Sequence, residues 1–328
     1  MSNAGGLGTL AGGYLSPEVL RAEIRRTRAL TDKPFAVNLF VPTAVHDPNL
    51  SAALDALGPL RTELGLPPAP VITSWAEDFD AQLAVVEDEH VPIFSFTFGI
   101  PDAEALTRLH DAATITIGTA TNVDEALALE DAGVDVVCAQ GAEAGGHHGT
   151  WAGDPWRSLI GTVALVPMVC DAVHLPVIAA GGIMDGRGVA AALCLGAGAA
   201  QLGTAFMLTP EAGTAAPHRR AMRTARATDT ALTSHVTGRL ARGIHNRLME
   251  ELQHVEVPPY PVMNALTTDL RRTAAQRDDG ELMSLWCGQG APLARDGSAQ
   301  EVVGALMANL VAVVQDLYAS SADNEAGT

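Results

Sequence analysis

Lysine is almost absent: of 20 Lys and Arg residues, only Lys33 is a lysine. It precedes a predicted strand, at the end of the sheet away from the strand termini where α/β proteins assemble their sites. That placement excludes Schiff-base chemistry, pyridoxal phosphate and a lysine set against a flavin. Positive charge is scarce as a whole, since 38 Asp and Glu residues leave a net charge of −18. Nucleic acid and anionic membrane surfaces are therefore repelled rather than bound. Cysteine is limited to Cys138, Cys170, Cys194 and Cys287, with no C-x-x-C pair. Widely spaced thiols among apolar neighbours predict a reduced, cytoplasmic protein. Gly, Asp or Pro is expected to interrupt each apolar stretch within about a dozen residues, short of the roughly 20 that a membrane helix needs. The opening MSNAGGLGTL has neither a charged n-region nor an apolar h-region, so no export signal is expected.

What is present is a globular composition: 328 residues, 48% apolar, with 32 glycines. Disorder, collagen and coiled coil are excluded, and the length suits a single α/β barrel carrying an insertion. Short apolar or β-branched runs bounded by Gly, Pro or Asp alternate with Ala/Leu/Glu-rich stretches. The rhythm predicts seven strands at Gly6–Leu10, Phe35–Phe40, Ile93–Gly99, Thr114–Gly118, Val134–Ala139, Pro176–Ala180 and Ala199–Thr204. Helices follow each, as at Ser16–Leu30 and Asn122–Ala132, which is the βαβ pattern of a parallel sheet. Residues 41–75, rich in Pro and Ala, read as a long loop with a short helix. The fold expected is a TIM-like (β/α) barrel built from residues 1–208 and 297–319, interrupted by a mainly helical domain over 209–296. The apolar spacing of Ser298–Leu317 predicts a helix that covers the barrel, and residues 320–328 a polar, frayed tail.

Chemistry concentrates at the C-terminal ends of three predicted strands, where a barrel builds its site. The first segment, Ala139-Gln140-Gly141-Ala142-Glu143-Ala144-Gly145-Gly146-His147-His148-Gly149-Thr150, sets two imidazoles among glycines that let the backbone approach a bound group. Adjacent side chains point in different directions, so one histidine faces the site as catalytic base and the other turns outward. No Cys or Asp stands at ligand spacing from them, and no metal is expected. The second and third segments carry Gly181-Gly182 and Gln201-Leu202-Gly203-Thr204. In tandem on adjacent strands they predict a phosphate site of free backbone amides. Asn38 is the one polar residue of Ala36-Val37-Asn38-Leu39-Phe40, and either a flavin pyrimidine edge or a neighbouring strand could satisfy it. Gln140 has the same dual capacity.

Taken together, SNAGGLGTL, PFAVNLFVP, FSFTFG, GTATNVDEA, AQGAEAGGHHG, VIAAGGIMDGRGVAAALCLGA, QLGTAF, GRLARGIHNRLM and SLWCGQG resemble the nitronate monooxygenase family over nearly the whole chain. The resemblance implies an FMN-dependent TIM barrel that oxidises small alkyl nitronates with O₂ to a carbonyl compound and nitrite, without NAD(P)H. It implies that Asn38, Gln140, Gly145, Gly181, Gly182 and Gln201, Leu202, Gly203 and Thr204 contact FMN, and that His147 is the catalytic histidine. FMN rather than FAD is expected, and Gly182→Val is expected to block its phosphate cup while largely keeping the fold. A monomer or homodimer is implied.

The family's first strand, which ends in a Pro-Met turn against the flavin, has no counterpart before Ser2-Asn3. Seven units cannot close an eight-stranded barrel. The chain as written is therefore expected to bind FMN weakly and to aggregate, and one longer upstream by roughly 25–35 residues, about one βα unit, to be soluble and yellow. Two other readings share the barrel: an NAD(P)H-dependent flavin reductase of the quinone or enoyl-thioester type, and an inactive truncated barrel.

Overall fold

The computed structural model describes residues 1–72 and 74–326, with side chains as far as Ala319. In chain order its first half runs β1 (Gly8–Ala11), α1 (Pro17–Leu30), β2 (Phe35–Phe40), α2 (Ser51–Glu63), α3 (Phe79–Asp88), β3 (Ile93–Thr97), α4 (Ala103–Asp111), β4 (Ile115–Ala120), α5 (Val123–Asp131) and β5 (Val136–Gln140). It continues through β6 (Gly146–His147), α6 (Thr162–Ala172), β7 (Val177–Ala180), α7 (Gly186–Cys194), β8 (Ala199–Gln201), α8 (Ala216–Thr224), β9 (Thr230–Thr233), β10 (Ala241–Ile244), α9 (Arg247–Leu252), α10 (Val262–Gln276) and α11 (Ala299–Ala326).

The seven strands read from the sequence form one parallel sheet in the order β1-β2-β3-β4-β5-β7-β8. Each returns to the sheet through a helix, and five of those helices begin at a side chain that accepts a bond from the first turn: Ser16, Asp78, Asp102, Asn122 and Asp185. Alternation along the strands separates two apolar layers. Val37, Leu39, Phe94, Phe96, Val137 and Ala179 face the helices, in the main core with Leu20, Ile24, Leu129 and Leu165. Ile117, Cys138 and Ala180 point into the curl, against Ile93, Val136 and Ile178. The same alternation aims Asn38, Ser95 and Gln140 inward.

The sheet curls but does not close. Among the described strands, β1 pairs only with β2 and β8 only with β7. Helix α11 bridges the ends, touching both α7 and the Ser2–Ala4 turn that precedes β1. Its approach to α7 is close: a Cβ on Gly186 would stand 2.2 Å from the Leu310 amide nitrogen. The rest of α11 covers little. Met307, Val311, Val314 and Leu317 recur at three- and four-residue spacing on an exposed face. The stretch Ala299–Ala319 is long and apolar enough to cross a membrane, and little of it is buried. This corrects the expectation that every apolar run is broken early, because Gly304 and Asn309 interrupt the run without ending the helix. The polar character expected of 320–328 lies outside the residues whose side chains are described.

A second hydrophobic core lies beside the barrel. Leu208, Met222, Leu248, Leu252, Leu266, Leu270 and Leu285 pack there with Ala53, Leu57 and Leu60 of α2. The Arg61 guanidinium joins α2 to α10 through two bonds of 2.8 Å to the Asp269 carboxylate. The stretch 209–296 is not helical throughout. β9 and β10 form an antiparallel ribbon within it, and β10 pairs with β6. Those strands are four residues long and carry Arg242, so the apolar pattern is too short to mark them.

Candidate active site

The glycine-rich loop after β5 is held from three sides. The Glu143 carboxylate accepts from the Thr162 amide at 2.9 and 3.0 Å and from its hydroxyl at 2.8 Å, at the N-terminus of α6, where a helix favours negative charge. The Glu143 carbonyl accepts from the Gln289 amide at 3.0 Å. The Gly288 amide donates to Thr204 Oγ1 at 2.9 Å. Gly145 lies against this 287–288 segment so closely that a Cβ on it would stand 2.3 Å from the Cys287 carbonyl carbon.

These segments enclose a cavity of about 340 Å³ at the C-terminal ends of β5, β7 and β8, within the size range of cofactor pockets, roughly 300–1,000 Å³. Gln140, Gly145, Gly181, Gly182, Gln201, Gly203 and Thr204 line it together with Met184, Met207, Trp286 and Cys287. The amides of Gly182, Gly203 and Thr204 make no backbone bond among the described residues. Cys287 is not a nucleophile here, since burial pushes its thiol up to about 11.

His147 stands at the rim, on β6 opposite Ala241 of β10. Its Nε2 lies 2.8 Å from Thr237 Oγ1. The Thr237 hydroxyl also reaches the Arg239 carbonyl at 3.4 Å. Phe98, Tyr260 and Trp286 surround the imidazole with ring centroids 5.9, 5.5 and 5.8 Å away. Desolvation first, then the Arg239 and Arg271 guanidiniums, hold its pKa down to about 3. It is neutral at physiological pH.

His148 does not turn outward. It is buried, and its Nε2–H donates to the Ser158 carbonyl at 3.0 Å. The strand-like backbone does send the two rings opposite ways, but the far side is packed protein rather than solvent.

The predicted residues divide into two groups. Gln140, Gly145, Gly181, Gly182, Gln201, Gly203 and Thr204 line the cavity, and His147 stands beside it, its ring 5.8 Å from that of the lining residue Trp286. Gln140 spends its amide within the chain, donating to the His147 carbonyl at 3.1 Å and accepting from the Gly149 amide at 2.7 Å. Asn38 and Leu202 do not line the cavity: Asn38 donates to Ser95 Oγ at 2.9 Å across to β3, and Leu202 packs against the main core. Gly182 has φ +69° and a Cβ there would meet Glu143 Cβ at 3.1 Å. A valine at 182 therefore strains the backbone, which corrects the expectation that it would leave the fold largely intact. Thr237, Arg239, Tyr260, Tyr14 and Arg271 were not read from the sequence. Gly238, between Thr237 and Arg239, was their available signal: its φ is +82° and a Cβ would stand 2.4 Å from the Tyr260 amide nitrogen.

The chain matches the family model for nitronate monooxygenase over residues 1–309. A probable nitronate monooxygenase of Staphylococcus aureus (strain Newman) is 41% identical over 324 residues, 96% of this chain and 90% of that protein. Among solved structures, a nitroalkane oxidase from Streptomyces ansochromogenes superposes with a TM-score of 0.89 at 41% identity, covering 96% of this chain and 91% of that one. FabK from Thermotoga maritima gives 0.76 at 29% identity, covering 97% and 89%.

Proposed function

Since the chain belongs to the nitronate monooxygenase family and is a flavin-dependent oxidoreductase, we propose that it oxidises small alkyl nitronates with O₂ to a carbonyl compound and nitrite, with FMN as the flavin. The observation that carries this reading is the neutral His147 at the rim of a glycine-lined cavity at the strand ends. The cavity suits a flavin, because its wall at Gly145 has no room for a Cβ and its floor offers unpaired amides at Gly182, Gly203 and Thr204. Those amides and Gly181 would hold the terminal phosphate; Gln140, Gly145 and Gln201 would border the ring. A bound flavin supplies the group that accepts electrons and reacts with O₂.

The protein's own part is positional. Thr237 orients the neutral His147 ring from 2.8 Å, while Phe98, Tyr260 and Trp286 exclude water around it. The four free thiols support a cytoplasmic protein.

Heat-released cofactor identified by mass, followed by anaerobic mixing of the loaded protein with ethylnitronate, tests the proposal. FMN and a rapid change in its visible absorbance are expected. A bound FAD, or an absorbance unmoved by ethylnitronate, would sink it. The reductase reading of the sequence predicts the converse, that NADH rather than the nitronate would bleach the flavin.

A further inference from the structure

Two cations stand beside His147 without a counter-ion. Arg239, in the turn between β9 and β10, donates from Nε to the His148 carbonyl at 3.4 Å and from one terminal nitrogen to the Thr150 carbonyl. Its guanidinium carbon lies 3.8 Å from the centroid of the Phe98 ring. Its other terminal nitrogen has no acceptor among the described residues. Arg271, on α10, donates to Thr267, Asn264, Thr268 and Ser284, all neutral. Neither arginine joins an ion pair among the described residues. The nearest acid that Arg239 feels, Glu125, has its carboxylate committed to Thr121, Trp151 and Ala152. Burial lowers the pKa of both arginines, Arg239 to about 10, which leaves them cationic at neutral pH.

The Tyr14 and Tyr260 hydroxyls bond to each other nearby, and desolvation raises both above the usual phenol range, so they remain donors. A cluster of two desolvated cations, two phenols and a neutral imidazole, with no carboxylate paired to either arginine, is electrostatically incomplete until an anion joins it. The arrangement also repels a positive charge and gives a neutral molecule no comparable gain.

We propose that Arg239, backed by the field of Arg271, is the specificity-determining residue that seats the anionic oxygen pair of the substrate, and so selects the nitronate anion over its neutral nitroalkane form. This rests on the nitronate reading above. The planar O–N–O edge of a nitronate has the geometry of a carboxylate or nitrate, which a guanidinium edge engages through its remaining N–H donors. Phe98 beneath the guanidinium holds its plane.

Nitrate serves as a planar, unreactive probe. Calorimetric titration of the flavin-loaded protein with nitrate is paired with steady-state kinetics on ethylnitronate and nitroethane, for wild type, Arg239→Gln, Arg239→Lys and Arg271→Gln. Losing a hydrogen-bonded charge should weaken nitrate binding and raise the ethylnitronate KM about tenfold or more in Arg239→Gln, with kcat and the nitroethane KM changing far less. Arg239→Lys, which keeps the charge and loses the fork, should bind nitrate more weakly than wild type and more tightly than Arg239→Gln, and Arg271→Gln should lose part of the affinity. Flavin-loaded Arg239→Gln that handles nitrate and ethylnitronate as wild type does would overturn the seat. If that variant does not fold, wild-type nitrate affinity in both Arg239→Lys and Arg271→Gln would overturn it equally. Wild type that turns over ethylnitronate yet binds no nitrate would do so as well. Arginine-dependent nitrate binding in a protein inert toward ethylnitronate would leave the seat standing and remove the nitronate function instead.

Discussion

His147 Nε2 and Thr237 Oγ1 lie 2.8 Å apart although 90 positions separate them in the chain. The contact exists because β10 pairs with β6 and carries the turn bearing Thr237 over the barrel mouth. The loop after β5 supplies the imidazole, and the turn between β9 and β10 supplies the partner that orients it. Replacing His147 by Ala should cost about 10²–10⁴ in kcat while flavin content stays near wild type. Thr237→Val should lower kcat by less, since it loosens the ring's orientation without removing the ring. His148→Ala should lower the melting temperature and spare the rate of the folded enzyme. Activity lost in loaded His148→Ala and kept in His147→Ala would reverse the assignment.

The depressed pKa of His147 has a signature in the pH profile. A histidine at its ordinary value near 6.5 would give kcat/KM a limb in the neutral range. With ionisation moved down to about 3, the protonated form is absent across that range. For ethylnitronate, kcat/KM should show no limb of apparent pKa between about 5.5 and 7.5 that disappears in the His147 variants. Such a limb would mean that the imidazole is not desolvated as described.

Gly203 offers a cleaner test of the phosphate site than Gly182. Nothing lies within 4 Å of the Cβ that Gly203 would carry, and its φ of −103° suits any residue. Gly203→Val should keep the melting temperature within a few degrees and weaken FMN binding. Gly145→Ala, by contrast, collides with the 287–288 backbone and should cost both fold and flavin. Equal FMN dissociation constants for Gly203→Val and wild type would remove Gly203 from the site.

The ion pair between Arg61 and Asp269 is a stability element. The Arg61 side chain is 3% exposed and that of Asp269 is 30% exposed, and the arginine bond holds the Asp269 carboxyl below the usual range. A depressed carboxylate stabilises the fold above its unfolded pKa of about 3.9, and that contribution is lost as pH falls through the lower folded value. Asp269→Asn leaves a buried guanidinium unpaired, at a cost of about 3–5 kcal/mol. Denaturant unfolding at pH 7 checks it; a midpoint equal to wild type would show that the pair contributes nothing.

The inner barrel strands were legible because they are largely buried runs of Val, Ile, Phe or Ala bounded by Gly, Pro or Asp, whereas β1 and β8 at the open edges are more exposed. The glycines of the cavity were legible because two Gly turns on adjacent strands leave few other uses. Arg239, Tyr260 and Thr237 were not, since a surface-like turn and a Pro-rich segment acquire their meaning only when Gly238 lets them touch. Asn38 was legible as a residue in need of a partner, and no further. A lone polar residue in an apolar strand demands a partner, but composition cannot distinguish a ligand from Ser95 on the next strand. Helix α11 was readable as an apolar helix, yet its spacing did not say how little of it the barrel would bury.

The account's central claim is tested most directly by O₂ uptake and nitrite release from the flavin-loaded protein given ethylnitronate without NADH or NADPH. Nitrite formed with accompanying O₂ consumption, and a flavin that NADH fails to bleach anaerobically, is the predicted result. A flavin bleached by NADH in a protein that forms no nitrite from ethylnitronate would contradict it.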